Sequence, residues 1–418
     1  MTNYRCPINI KSQKNKSEFR KLDVGILQFV CLLLLVGCDL SAFGQNDSTK
    51  TSQDAAFDRP FINVGKTNTA IGGYVEGNTN YFSEDGISEG YSMELRRFNF
   101  FLYSSIHKRV KFISEVEFEH GTEEIALELA QLDFEFNPSL NFRAGILLPQ
   151  IGMINANHDS PKWEFIERPL SSTEIIPSTL SEVGFGFHGK FFPGNKILAY
   201  DAYLVNGLQD GIILNSEGRT HLASGKSIEM FEEDNNGTSM LNAKIFLANR
   251  RMAEVGISYY GGIYNRYNVE GNVIDEKRML AVAAFDFSTK IKKLRVFGEF
   301  AYVSIDVPAD IQEIYGTKQL GTFLELSYPV LKRTMLGFEN AVLNVNLRGE
   351  KTDYNMGTYS FNGSRIGDEV NALSLGIGFR PTSSTVIRTN YRYHWIYDAL
   401  GNPPAHLGAF QVGVASYF

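Results

Sequence analysis

Charged and polar residues recur at every second position in several stretches of this 418-residue chain. Lys111, Glu115, Glu117 and Glu119 share one parity, as do Gln131, Asp133 and Glu135, and then Asn141 and Arg143. Arg97 and Asn99 precede them; Lys244, Arg295, Glu299, Glu325, Arg348, Arg388 and Arg392 follow the same rule further on. The positions between the acids are apolar: Phe118, Leu132, Phe134 and Phe136. A period of two puts such groups on one face of a β-strand. Carboxylates and guanidinium groups in rows do no covalent chemistry by themselves. They bias the potential of a water-filled passage, most strongly where low-dielectric walls focus the field. Five carboxylates on two successive strands predict a negative wall. Arginines from other strands would face it, giving a transverse field across a constriction.

Signatures of covalent chemistry are missing from the sequence. It has no HExxH, Walker loop or paired CxxC. Cys6, Cys31 and Cys38 all lie in the first tenth of the chain, so no disulfide or Cys-ligated metal can form downstream. His158 and Asp159 adjoin Asn155 and Asn157, but adjacent positions in a loop rarely converge on one point, and neither a metal nor a cofactor is expected. The run Glu232, Glu233, Asp234, Asn235 and Asn236 before Gly237 resembles half of a calcium loop without its closing bidentate acid. The formal charge is −7, and no basic patch alternates with stacking aromatics, which argues against nucleic acid as a partner.

The amino terminus reads as an export signal. Arg5, Lys11, Lys14, Lys16, Arg20 and Lys21, against Glu18 and Asp23, precede the apolar run Gly25 to Val36. That run is about a dozen residues, where a spanning helix needs roughly 20. Ala42 and Gly44 place cleavage before Gln45. A lipobox at Leu35, Val36, Gly37 and Cys38 is the competing site, with Cys38 then lipidated. Removing residues 1–44 leaves 34 basic against 44 acidic residues. The polar stretch 45–66 is expected to be a flexible periplasmic lead-in, and 67–418 the folded body.

That body must position the charged rows. No later apolar segment reaches helix-spanning length, so a membrane would be crossed by strands of about ten alternating residues. The 31 Phe and 20 Tyr suit a membrane interface. From Thr385, the residues Ile387, Thr389, Tyr391, Tyr393, Trp395 and Tyr397 share a face, and Arg388, Asn390, Arg392 and His394 the other. Strands are expected to begin near 68, 90, 109, 126, 140, 182, 196, 241, 252, 279, 293, 320, 336, 372, 384 and 408. Long links (83–89, 121–125, 149–181, 207–240, 266–278, 307–319, 350–371, 398–407) alternate with links of two or three residues, 331–335 being the longer exception. Strict alternation of this kind fits an all-β, membrane-spanning, antiparallel up-and-down β-barrel of sixteen strands better than a Greek-key sandwich. Gly-rich pieces such as GFGFHG and GIGF fall on strands, where glycine relieves crowding.

The segment from Phe142 to Gly189 resembles the phosphate-selective porin O and P family and related porin-like proteins of Bacteroidota. The matching pieces are Arg143-Ala144-Gly145, Pro149, Gly152, Asn155, His158, Pro161, Glu167-Arg168-Pro169, Ile176-Pro177 and Glu182 through Gly189. The resemblance implies a sixteen-stranded trimeric outer-membrane porin whose long third outer loop, 149–181, folds into the lumen. Asp159, Lys162, Glu164, Glu167 and Arg168, beside His158, would then project into the constriction. A phosphate pore needs arginines and lysines in file, and the acidic body argues against phosphate specificity. Phe418, ending an alternating strand, resembles the signal that such barrels present to their assembly machinery. The expected partners are outer-membrane lipid and lipopolysaccharide, that machinery, and two further copies in a homotrimer. The function expected is passive diffusion of small hydrophilic solutes or ions with weak cation preference. A non-conducting surface barrel and a lipid hydrolase are the rival readings.

Overall fold

The structure, a computed structural model, describes residues 50–249 and 253–418. The export signal, Gln45 and Cys38 lie outside the described residues. Sixteen long strands run in chain order: β1 (Thr69–Glu84), β2 (Tyr91–His107), β3 (Val110–Glu119), β4 (Glu124–Asn137), β5 (Leu140–Leu147), β6 (Glu182–Phe191), β7 (Lys196–Val205) and β8 (Met240–Asn249). Then follow β9 (Ala253–Ile263), β10 (Met279–Ile291), β11 (Leu294–Ile305), β12 (Lys318–Met335), β13 (Phe338–Asp353), β14 (Glu369–Thr382), β15 (Thr385–Tyr397) and β16 (Ala405–Tyr417). Each pairs antiparallel with its sequence neighbours, and β16 pairs with β1 from Leu407↔Glu84 to Tyr417↔Tyr74, which closes the ring. Closure leaves no unpaired edge.

The outward positions are apolar and exposed, among them Leu375 and Ile377 on β14 and Ile387 and Tyr391 on β15. The alternate positions are polar and buried, among them Asn346, Arg348, Ser374, Arg388 and Asn390. This inverts the pattern of a water-soluble sheet and matches an apolar outer band around a polar interior. The link expected at 331–335 is shorter than that. β12 runs on to Met335 through bulges at Pro329/Leu331 and Arg333/Met335. Leu336 and Gly337 alone turn the chain, both with positive φ, as a two-residue hairpin requires.

Two features depart from the expected water-lined tube. The lead-in is packed from Thr51 onward: Gln53 and Arg59 are buried, and Phe57 and Phe61 lie against Tyr103 and Phe101. Ile62–Asn63 pairs with β1. Part of the interior is also dry. Leu280, Val282, Val303, Ile305 and Tyr260 point inward and form one cluster with Ile175 and Ile176, and with Ile212, Leu222 and Met230 of the link 206–239.

Candidate functional site

The link 148–181 between β5 and β6 is drawn into a closed loop by Asn155. Its Nδ2 donates to the Pro149 and Leu180 carbonyls at 2.7 and 3.1 Å, and its Oδ1 accepts from the Leu180 N–H at 2.7 Å. From there the segment bonds to strands on every side. Gln150 N–H donates to Asn242 on β8, Gly152 N–H to Ser258 on β9, and Met153 N–H to Glu299 on β11. Lys244 on β8 donates to the Gly152 carbonyl at 2.6 Å. On the other side Asn344 (β13) and Arg380 (β14) reach Glu164, Arg388 (β15) reaches the Ser160 and Trp163 carbonyls, and Gln411 (β16) and Arg96 (β2) reach Glu167. Glycine makes two of these approaches possible. A Cβ at Gly152, where φ is +59°, would sit 2.2 Å from Glu299 Oε2, and one at Gly378 would sit 2.1 Å from Glu164 Oε2.

At the centre is a charged knot. Arg59, from the lead-in, grips Asp159 with Nε and Nη2 at 3.0 and 2.7 Å and reaches Glu115 of β3 at 2.7 Å. All three side chains are fully enclosed, and the guanidinium lies 4.0 Å over the Phe101 ring. Tyr417 donates to Asp159 at 2.6 Å, Lys162 lies 3.2 Å from it, and His158 faces Glu115 at 3.3 Å. Burial alone would raise the Asp159 carboxyl, but Arg59 and then Lys162 outweigh it and hold it well below the usual carboxylate range. Burial also opposes charge on Glu167, yet Arg96 brings it far down. Burial would lower the His158 imidazole, and Glu115 more than reverses that. His158 and Asp159 do converge, against expectation: with Glu115 their ligand atoms lie within 4.8 Å of one another. The counter-charge in that cluster is Arg59 itself, so the donor set is already engaged.

No family model matches the sequence. A protein of Aquifex aeolicus (strain VF5), described as uncharacterized, is 34% identical over 151 residues. That match covers 34% of this chain and 33% of the other, so the chain spans about a third of that relative. Solved structures are similar over most of the chain. An anion-selective porin from Comamonas acidovorans has a TM-score of 0.53 at 11% identity, covering 84% of this chain and 100% of that one. The outer membrane channel DcaP of Acinetobacter baumannii has 0.52 at 12%, covering 85% and 99%. Salmonella typhi OmpF in complex with daunomycin has 0.53 at 7%, covering 85% and 100%. The fold is that of the porins. At such identities the likeness speaks for the fold alone.

Within this porin fold, the sequence-derived residues fall as follows. Arg97, Glu115, Glu117, Asp133, Arg143 and Arg388 are buried on the inner face, and Arg392 half-buried there. Two of the arginines expected across the lumen from the acidic row, Arg97 and Arg143, instead lie against it. Cross-strand register sets Arg97 opposite Glu119 and Arg143 opposite Asp133. Arg97 pairs with Glu76, Glu117 and Glu119; Arg143 and His188 both hold Asp133; Lys111 pairs with Glu135. The last pair lines a cavity of about 700 Å³ at the short-turn end, with Gln53, Phe57 and Phe61. The wall is thus a set of local ion pairs, not a bare negative surface. Arg392 and Arg168 have no ion-pair partner among the described residues; Arg168 donates to Thr179 at 3.0 Å.

Sequence reading missed Arg59, Glu76 and Arg96. Glu76 shares parity with the buried Asn78 and Asn80 and was legible by alternation. Arg96 was not, because a bulge opposite Glu76/Gly77 resets the parity of β2, so that Arg96 and Arg97 both bond inward.

Proposed function

We propose that this protein is an outer-membrane porin that passes small hydrophilic solutes or ions by passive diffusion, without covalent chemistry. One observation carries the reading: a closed sixteen-stranded ring, apolar outside and charged within, holds the link 148–181 bonded to strands on opposite sides of its interior. A loop longer than 30 residues that is bonded in this way belongs to function more than to connection. The loop and the lead-in together narrow the lumen at Arg59, Glu115, His158 and Asp159. Because the acidic row is neutralised by its own neighbours, we expect weak charge selectivity in place of cation preference. The likeness in fold to named porins agrees with this reading. Export by a cleaved signal, residence in a bacterial outer membrane facing lipid and lipopolysaccharide, assembly through Phe418 and a homotrimer complete the proposal. Phe418 stacks on Phe98 at 5.7 Å, and its N–H is bonded to Gly73.

Protein folded in detergent and added to planar bilayers should give discrete ohmic steps, with a reversal potential near zero in a potassium chloride gradient. Electrical silence would end the porin reading. Silence with release of fatty acid would favour the hydrolase.

A further inference from the structure

A second cavity of about 170 Å³ lies between the loop 148–181, the wall of β2 to β4 and the link 206–239. Glu119 ends β3, Glu124 begins β4, and Lys226 comes from a long link, so the cavity opens on the long-link side. Some of its lining charges cancel in place, Arg96 with Glu167 and Arg97 with Glu117 and Glu119. Four charges remain without an ion-pair partner among the described residues: Arg168, Lys226, Glu124 and Glu128. Their other bonds leave capacity to spare. Arg168 gives Nη1 to Thr179, while its Nη2 is buried with no partner. Lys226 donates to the Thr179 carbonyl at 3.2 Å. Glu128, only 9% exposed, accepts from Ser181 with one oxygen. Ser178 is 9% exposed too, and its hydroxyl has no partner. Buried polar groups are seldom left unmet. A pocket lined by two cations and two carboxylates that close no ion pair, with an orphan hydroxyl beside them, complements a molecule that carries both charges.

We propose that this pocket binds small zwitterions, above all α-amino acids. The carboxylate lies on Arg168 and Ser178, and the ammonium on Glu128 and Glu124. At ~30 Å³ per water, the volume has room for a solute of about six heavy atoms, the size of alanine. As a station on the entry route the site rests on the porin reading; as a binding site it does not.

The test is saturation-transfer NMR on the full barrel folded in detergent, with L-alanine as the probe. Alanine should bind, and propionate and ethylamine, each with one of its charges, should bind about tenfold more weakly. Arg168→Gln and Glu128→Gln should each weaken alanine by about tenfold. Propionate binding as well as alanine, or Glu128→Gln without effect, overturns the proposal. The comparison of the three probes needs no variant and stands if a substitution misfolds. Glycerol-driven swelling of liposomes that carry the same protein tests the porin reading separately. Its absence would remove the pore, while the alanine comparison would still decide whether the pocket binds.

Discussion

Two sides of the interior obey the same strand alternation and present opposite surfaces to it, one apolar and one polar. Along β9 to β11, the inward residues Tyr260, Leu280, Val282, Val303 and Ile305 meet apolar side chains of two long links and form a dry core. Along β13 to β15, the inward residues are Asn346, Thr352, Ser374, Arg392 and His394. Enclosed atoms on each of them, including both polar atoms of the Asn346 amide, have no protein partner. Atoms of that kind need water. The first side buttresses the loop with apolar packing; the second holds it with polar bonds and, on the proposed function, borders the passage. The contrast teaches that alternation decides which way a residue points, while the residue type decides whether the space in front of it is protein or water.

Breaking the charged knot should have the largest effect. Arg59→Leu removes the guanidinium that Asp159 and Glu115 share and leaves them to Lys162 and His158, a loss of about 3–5 kcal/mol from the anchorage. The unit conductance of the variant should rise and become noisy, and the segment 148–181 should become open to protease, with the barrel still heat-modifiable on gels. A wild-type conductance and an uncut loop would mean that the lead-in does not narrow the lumen.

The dry side is sharpened by Leu222→Ala. Leu222 is fully buried in the apolar cluster, so the truncation should remove about 2–5 kcal/mol, read as a lower urea midpoint for unfolding. Its conductance should match wild type. If it instead rose as for Arg59→Leu, the division into buttress and passage would fail.

The ring itself was legible because a two-residue period and alternating link lengths are local signals. The expected strand starts all lie within a few residues of those observed, from 68 against Thr69 to 408 against Ala405. The partners of the charged rows were not legible. Arg97 beside Glu119 depends on register, and Arg96 on a bulge. Arg59 pairs with residues 56 and 100 positions away, from a stretch whose composition reads as unfolded. The apolar fill was hidden for a different reason: in a barrel strand, an inward valine and an outward valine look alike until the link that covers one of them is placed.

The smallest effect expected concerns His158, and it isolates one hydrogen bond in the knot. Nδ1 lies 3.0 Å from the Asn155 carbonyl and Nε2 3.3 Å from the Glu115 carboxylate, both acceptors. Only the doubly protonated ring satisfies both. Its folded pKa is accordingly raised, so its contribution is complete below ~6.5, the unperturbed value, and is lost as pH rises through the folded value. Asp159 and Glu167 run the other way. Their folded values are lowered, so their contributions are present above ~3.9 and ~4.3 and vanish only as pH falls through the folded values. The anchorage is therefore complete in a window between them. Raising pH past the His158 value should remove about 1 kcal/mol, seen as a modest step in single-channel noise with its midpoint above the unperturbed value. His158→Gln should abolish that step. A step that persists in the variant, or whose midpoint lies on the acid side of the unperturbed value, would assign the titration to another group and remove His158 from the knot.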